Sequence, residues 1–230
     1  MIRKGEKEDG QQIVKLKLDN WKVTYKNIFP NEYLDKMTYS DEIEKFITNY
    51  DKRNIIVYEE NNEILGYCYY GDAKEAREKN IGEIYAIYVH NDYQRRHIGE
   101  KLIKEALTNL LKHNNKVILW CAKDNYKAIK FYHKIGFENF MEKEVYIEQK
   151  PITEIGLVFD LKNNFKYKIS RYTSCLQKNN TIAVYSNFDL MFLKNETVKW
   201  FNKIKDKKNM ELIPYEFIQY LMNKEVLELD

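Results

Sequence analysis

"EIYAIYVHNDYQRRHIGEKLIKEAL", residues 83–107, is the stretch on which the reading of the fold turns. Residues 83–89 are rich in apolar and aromatic side chains and predict a strand. Ile98, Leu102, Ile103, Ala106, Leu107, Leu110 and Leu111 recur at helical spacing and predict a helix over 98–112. Between the two runs a polar loop, 90–97, carries Arg95, Arg96 and His97, with Gly99 just inside the helix. The first N–H groups of a helix are unpaired and its N-terminus is partly positive. A loop there can turn several N–H groups toward one anion, and Gly99 permits close backbone approach. Taken alone, the same features also describe a solvated basic turn.

Working outward, "KVILWCA" (116–122) predicts a short strand buried on both faces, and "NYKAIKFYHKIGF" (125–137) a helix stopped by Gly136. "EVYIEQK" and "EIGLVFDL" are candidate closing strands. Upstream, "NIIVYEE" and "EILGYCYY", joined by Asn61–Asn62, predict a hairpin. Before them, "IRK" is a short strand and residues 9–27 a helix, followed by helical segments at "NEYLDKM" and "SDEIEKFITNY", with Ser40 and Asp41 as cap candidates. The order mixes an antiparallel first half with a strand–helix–strand–helix second half, an α+β class with one central mixed sheet.

In this context the central stretch resembles the signature of the GNAT superfamily, the acetyl-CoA-dependent N-acetyltransferases. The superfamily's loop pattern, Gln/Arg-x-x-Gly-x-Gly/Ala, aligns with Gln94-Arg95-Arg96-His97-Ile98-Gly99; the last glycine is kept and the first is replaced by His97. "WKVTYKNIFPNEYL", "LGYCYY" and "NYKAIKFYHKIGF" agree with family segments in order and spacing, so the resemblance covers about residues 1–160. It implies the GNAT acyltransferase fold, a twisted mixed sheet flanked by helices, with acetyl-CoA as co-substrate and no metal. Acetyl would pass directly to a primary amine of a small molecule or peptide.

The resemblance also assigns roles. Ile87, Tyr88 and Val89 would meet the pantetheine arm, the first and last through backbone groups. Gln94, Arg95, Arg96, His97, Ile98, Gly99 and Glu100 would wrap the pyrophosphate. Asn125 would bind the cofactor arm, and Tyr132 would protonate the departing thiolate. Glu83, at the start of the signature strand, is the candidate base. Bland readings stand beside these: Tyr132 as a packing residue, Asn125 as a helix cap, Glu83 as a solvated carboxylate, His97 as a cap. Trp21, Tyr25 and Phe29, with Tyr33 and Tyr69, are candidates for an aromatic acceptor wall, and Glu32 or Asp35 for attracting a cationic amine. Cys121 lies in an apolar strand and does not suit a nucleophile; His133 is expected at the surface.

Composition constrains the alternatives. Hydrophobic residues make up 44% of the 230, enough for a sizeable core, and the net charge of +3 does not point to nucleic acid. Cys68, Cys121 and Cys175 lack metal spacing and read as buried thiols of a cytoplasmic protein. The charged N-terminus is no signal peptide, and no apolar run suits a membrane span.

All eight glycines lie between Gly5 and Gly156. That contrast, with the polar stretch "DLKNNFKYK", sets a boundary near residue 163 between a catalytic domain and a small α+β domain, 164–230. There "TIAVYSN" and "LMFL" predict a hairpin, "NETVKWFNKIKD" a helix capped by Asn195, and "PYEFIQYLMNKEVLEL" a helix and short strand. The order is faintly like a winged helix, and "FLKNETVKWF" is faintly similar to small leader-peptide-binding domains. A packing or homodimerising appendage is the plainer reading. The rival function is a non-catalytic protein that senses acyl-CoA or recruits a peptide on the same scaffold.

Overall fold

The computed structural model describes residues 1–50, 54–73, 80–160, 167–207 and 213–229. The expected boundary near residue 163 lies outside them. The chain runs β1 (Ile2–Lys4), α1 (Gly10–Thr24), α2 (Asn31–Asp35), α3 (Tyr39–Thr48), β2 (Asn54–Glu60), β3 (Glu63–Asp72) and β4 (Ile81–Val89). Next come α4 (Ile98–Leu111), β5 (Lys116–Ala122), α5 (Tyr126–Ile135), β6 (Glu138–Ile147) and β7 (Lys150–Asp160). The last segment holds β8 (Tyr167–Ile169), β9 (Ser174–Lys178), β10 (Thr181–Ser186), β11 (Asp189–Lys194), α6 (Glu196–Asp206), α7 (Tyr215–Asn223) and β12 (Leu227–Leu229).

Seven strands form one sheet in the order β1-β2-β3-β4-β5-β7-β6. Only β4 and β5 pair parallel; the other neighbours are antiparallel. Asn61 and Asn62 both have positive φ, 53° and 63°, as a two-residue hairpin matching strand twist requires. On one face, α4 packs its predicted stripe over β3 and β4, beside Ile129 and Tyr132 of α5. On the other, α1 and α3 bury Ile13, Val14 and Phe46 against Ile55, Val57 and Tyr67. Alternation in β2 explains the division: Ile56 faces α4, while Ile55 and Val57 face α1.

Several expectations need correction. α1 ends at Thr24, and residues 25–29 form hydrogen-bonded turns instead of a continuing helix. Thr38, not Ser40 or Asp41, caps α3: its extended backbone lets Oγ1 accept from the Asp41 N–H at 3.2 Å. β5 is not buried on both faces: Ile118 and Trp120 stay half-buried, and the Trp120 ring lies 5.6 Å from that of Phe140 on β6. Asn195 precedes α6 without a side-chain cap; Thr197 Oγ1 instead accepts from the Lys194 N–H at 2.9 Å. Cys68 and Cys121 are buried as expected, but Cys175 is exposed on the edge strand β9. No helix among the described residues is long and apolar enough to cross a membrane.

β9, β10 and β11 make a second, three-stranded sheet, and β12 pairs with β8. β8 and β9 were not anticipated: β8 is three residues long, and β9 is exposed and shows no clean alternation. The inner face of the small sheet (Ile182, Val184, Met191, Leu193) packs with α6 and α7 in the same apolar cluster as α4. Side-chain amides join this segment to the end of α4. Gln219 Nε2 donates to the carbonyls of Leu111 and Asn114 at 3.2 Å each, and Asn223 Nδ2 to that of Lys112 at 3.0 Å. The Leu111 and Lys112 carbonyls belong to the helix end, where a helix leaves its last carbonyls without internal partners.

Candidate active site

The site begins where two strands part. β4 and β5 pair from Ile81↔Lys116 to Ile84↔Leu119 and no further. One residue on, β4 bulges: Tyr70 faces Ile84 and Tyr69 faces Ala86, leaving Tyr85 as an extra residue. A bulge bends its strand and increases local twist. β5 meanwhile stays paired to β7 through Ala122. Between the diverging strands lies a cleft of about 750 Å³, walled by β4, the loop before α4, and α5.

Past Ile84 the cleft-side edge of β4 has no paired strand among the described residues. The His90 N–H donates to the Leu65 carbonyl at 2.8 Å, toward β3. By the alternation of an antiparallel ladder, Ala86 and Tyr88 also direct their backbone groups to β3, and Ile87 and Val89 direct theirs into the cleft.

At one end of the cleft the loop 90–97 turns into α4. Arg95 and His97 both adopt left-handed backbone, φ 65° and 59°. Alternating handedness before a helix start draws successive N–H groups toward a common point, a concavity for an anion. His97 therefore holds the conformation that glycine adopts freely, at a cost of about 1–2 kcal/mol. Its Nδ1 lies 3.0 Å from Glu100 Oε2. That contact, with Lys104 adding to it against partial burial, holds the Glu100 carboxyl below its ordinary pKa. Gly99 is helical; a Cβ there would stand 3.3 Å from Phe131 Cζ and 3.6 Å from Val89 Cγ2, so its absence lets α4 approach α5 and β4.

The two arginines separate. Arg95 lines the cleft. Arg96 donates through Nη2 to both carboxylate oxygens of Glu60 at 3.0 Å and lies 5.3 Å over the Tyr93 ring. Gln94 donates to Asn91 Oδ1 at 3.0 Å and accepts from Lys127 Nζ at 2.7 Å, tying the loop to α5.

α5 supplies the facing wall. Asn125 Oδ1 caps it, accepting from the Ala128 N–H at 3.2 Å, and Gly136 (φ 114°) ends it. Tyr132 lies on its buried face and lines the cleft. Burial, then the neighbouring Cys121 and Tyr88, push its phenol well above the ordinary tyrosine value, so it stays protonated. Burial likewise pushes the Cys121 thiol up to about 12, which leaves it un-ionised. Beneath, Trp21 Nε1 donates to Tyr88 Oη at 2.6 Å, and Tyr25 stacks on Phe29 with centroids 4.3 Å apart.

Some anticipated residues stand elsewhere. Glu83 is paired on both sides, to Gly71 and Ile118, before the strands part, and it does not line the cleft. Trp21, Phe29 and Tyr33 pack in an aromatic cluster, and of that group Tyr25 reaches the cleft. Tyr69 packs on Tyr85 at 4.7 Å, while Glu32 and Asp35 are exposed on α2. His133 is at the surface, 2.9 Å from Asn139 Oδ1. Trp120, Lys127, Phe131 and Lys134 line the cleft without having been singled out. The last three fall at i, i+4 and i+7 of α5, a spacing that places them on one helix face.

The sequence model of the Acetyltransferase (GNAT) family matches residues 18–137, just over half of the chain. The uncharacterized N-acetyltransferase YuaI of Bacillus subtilis is 28% identical over 157 residues, 68% of this chain and 90% of that protein. Among solved structures, an N-acetyltransferase from Staphylococcus aureus superposes with a TM-score of 0.58 at 22% identity, over 70% of this chain and 98% of that one. YncA of Salmonella typhimurium, a putative acetyltransferase solved with acetyl-CoA, superposes with a TM-score of 0.54 at 17% identity, over 70% and 93%. The sheet that parts at β4 and β5, the left-handed loop before α4 and these matches agree: the chain belongs to the GNAT acetyltransferase family.

Proposed function

We propose that the protein moves the acetyl group of acetyl-CoA directly to a primary amine, on a small molecule or a peptide. The observation that carries this reading is the cleft itself. It offers the backbone of Ile87 and Val89 along one wall, a loop of left-handed Arg95 and His97 leading into the α4 N-terminus at one end, and a protonated phenol, Tyr132, on the facing wall. The first set suits the amide-bearing pantetheine arm and the second suits a pyrophosphate. Acetyl-CoA supplies an acyl group activated as a thioester. The chain's residues fix the thioester carbonyl within reach of the amine, and Tyr132 gives its proton to the sulfur as the bond to carbon breaks. Arg95, Lys127 and Lys134 add positive charge around the anionic end. Glu83, placed short of the cleft, serves as base only through intervening water. In this reading the residues beyond 163 form a small domain that braces α4 and lies apart from the chemistry. A merely acyl-CoA-sensing protein would not need the protonated phenol in the cleft wall.

Thiol release from acetyl-CoA over a panel of amines tests the proposal. Tyr132→Phe should lower kcat by about 10²–10⁴-fold, the usual worth of a general acid, with acetyl-CoA affinity kept. Unchanged turnover would remove Tyr132 from the mechanism. Tight acetyl-CoA binding with no amine turned over would favour the sensing protein.

A further inference from the structure

The outer face of the small C-terminal sheet carries large apolar side chains. An antiparallel sheet with one face on the core ordinarily turns polar residues outward. β10 and β11 send Ile182, Val184, Met191 and Leu193 inward. The alternate positions, which face solvent, hold Leu176 on β9, Ala183 and Tyr185 on β10, and Leu190 and Phe192 on β11. Phe188 stands in the β10–β11 turn. Leu176 is 73% exposed, Phe192 61% and Phe188 93%, with Leu190 and Tyr185 about half exposed.

The register orders these side chains into rows. Leu176, Ala183 and Phe192 lie side by side, the smallest in the middle; in the next row Ser174, Tyr185 and Leu190 put a large ring on the central strand. A dip over Ala183 and a ridge at Tyr185 thus sit two residues apart on one strand. That arrangement is complementary to itself. A two-fold axis passing between them lays each Tyr185 over the other copy's Ala183, the reciprocal contact of an isologous interface. The area agrees. With about 150–250 Å² for a full aromatic side chain, the exposed fractions sum to roughly 600 Å² per copy. Two copies then bury about 1,200 Å², the lower end for a specific interface, while 600 Å² is the upper end of what a monomer leaves bare.

We propose that this face is a homodimer interface, where the β9–β10–β11 sheets of two chains stack through Leu176, Tyr185, Phe188, Leu190 and Phe192. Stacking leaves the acetyl-transfer cleft of each copy open, because the cleft lies at the N-terminal end of α4 and the small sheet belongs to the segment docked at its other end.

Sedimentation velocity of the full chain tests this. The native protein should show a concentration-dependent dimer, half-formed in the micromolar range that an interface of this size supports. Tyr185→Glu with Phe192→Ser, both outward-facing, should shift it to monomer and leave circular dichroism and amine turnover unchanged. A separate Ala183→Trp substitution should weaken the dimer about tenfold or more by filling the dip. A native chain that remains monomeric at about 100 µM overturns the proposal and leaves the face to another protein. A dimer that survives Tyr185→Glu/Phe192→Ser also overturns it, since the copies would then meet elsewhere.

Discussion

His97 shows how a departure from a sequence pattern is absorbed at a single residue. Glycine is usual at this point of the family's loop, and the backbone need that selects glycine is met here by histidine at φ 59°, ψ 14°. The cost of left-handed backbone is met in part by the contact to Glu100. His97→Gly should therefore change acetyl-CoA affinity by less than about threefold, since histidine already holds the left-handed backbone that glycine would adopt. His97→Val should weaken it about tenfold or more, because a β-branched residue strongly resists φ above zero. Calorimetric titration with coenzyme A distinguishes the two. Sequence disclosed that the loop was unusual; it did not disclose Arg96's bond to Glu60, which joins residues 36 apart across the sheet edge. The same limit hid the position of Glu83. A carboxylate at a strand start looks alike in sequence whether the strand has parted from its neighbour or not.

At the scale of elements, the strongly patterned segments were legible and the interrupted ones were not. The stripe of α4, the Asn–Asn hairpin and the Gly136 stop each carry a local signal that the structure repeats. β8 and β9 lack one. The entry to α1 depends on side-chain contacts across a short irregular turn, which no apolar periodicity announces. Arg3 of β1 donates to both Asp9 oxygens, at 2.7 and 2.9 Å, and the Glu6 N–H to Asp9 Oδ2 at 2.7 Å. Burial pushes the Asp9 carboxyl up, but these donors outweigh it and leave the pKa below the ordinary value. A carboxylate held low in the folded state contributes stability above its unfolded pKa, about 3.9, and loses it as pH falls through the folded value. Asp9→Asn should thus cost about 2 kcal/mol at pH 7, or about 4–8 °C in Tm. Thermal melts of the two proteins should begin to converge as pH falls below about 4 and should meet only below the depressed folded value.

For the whole molecule, what the sequence left open is how the last residues relate to the rest. A small domain and a packing appendage both suited their composition; Leu221, Leu227 and Phe217 share one apolar cluster with Leu110 and Leu111 of α4. Glycine content and turn residues mark where a chain changes character but do not report which surfaces it covers. Ending the chain at residue 163 should uncover the two leucines and strip the Gln219 and Asn223 bonds from the end of α4. With about 1.5–3 kcal/mol for each leucine, Tm should fall by about 10 °C or more, or the shortened chain should aggregate. Full stability by differential scanning calorimetry would mean that the tail braces nothing.

The extra residue in β4 has a further consequence. Ahead of Tyr85 the strand follows one frame, with Ile84 beneath α4; past it the frame is shifted, so Ala86 and Tyr88 meet α1 while Ile87 and Val89 meet α4. Because consecutive Tyr70 and Tyr69 stand opposite Ile84 and Ala86, deleting Tyr85 would leave every downstream residue opposite its present partner, with Tyr88 still under α1 and Ile87 and Val89 still turned from β3. What would go is the bend: an unbulged β4 loses the added twist that carries it away from β5, and the two strands would stay alongside each other beyond Leu119 and narrow the cleft. The extra residue is thus a spacer between two strands and not a switch of which atoms face the cleft.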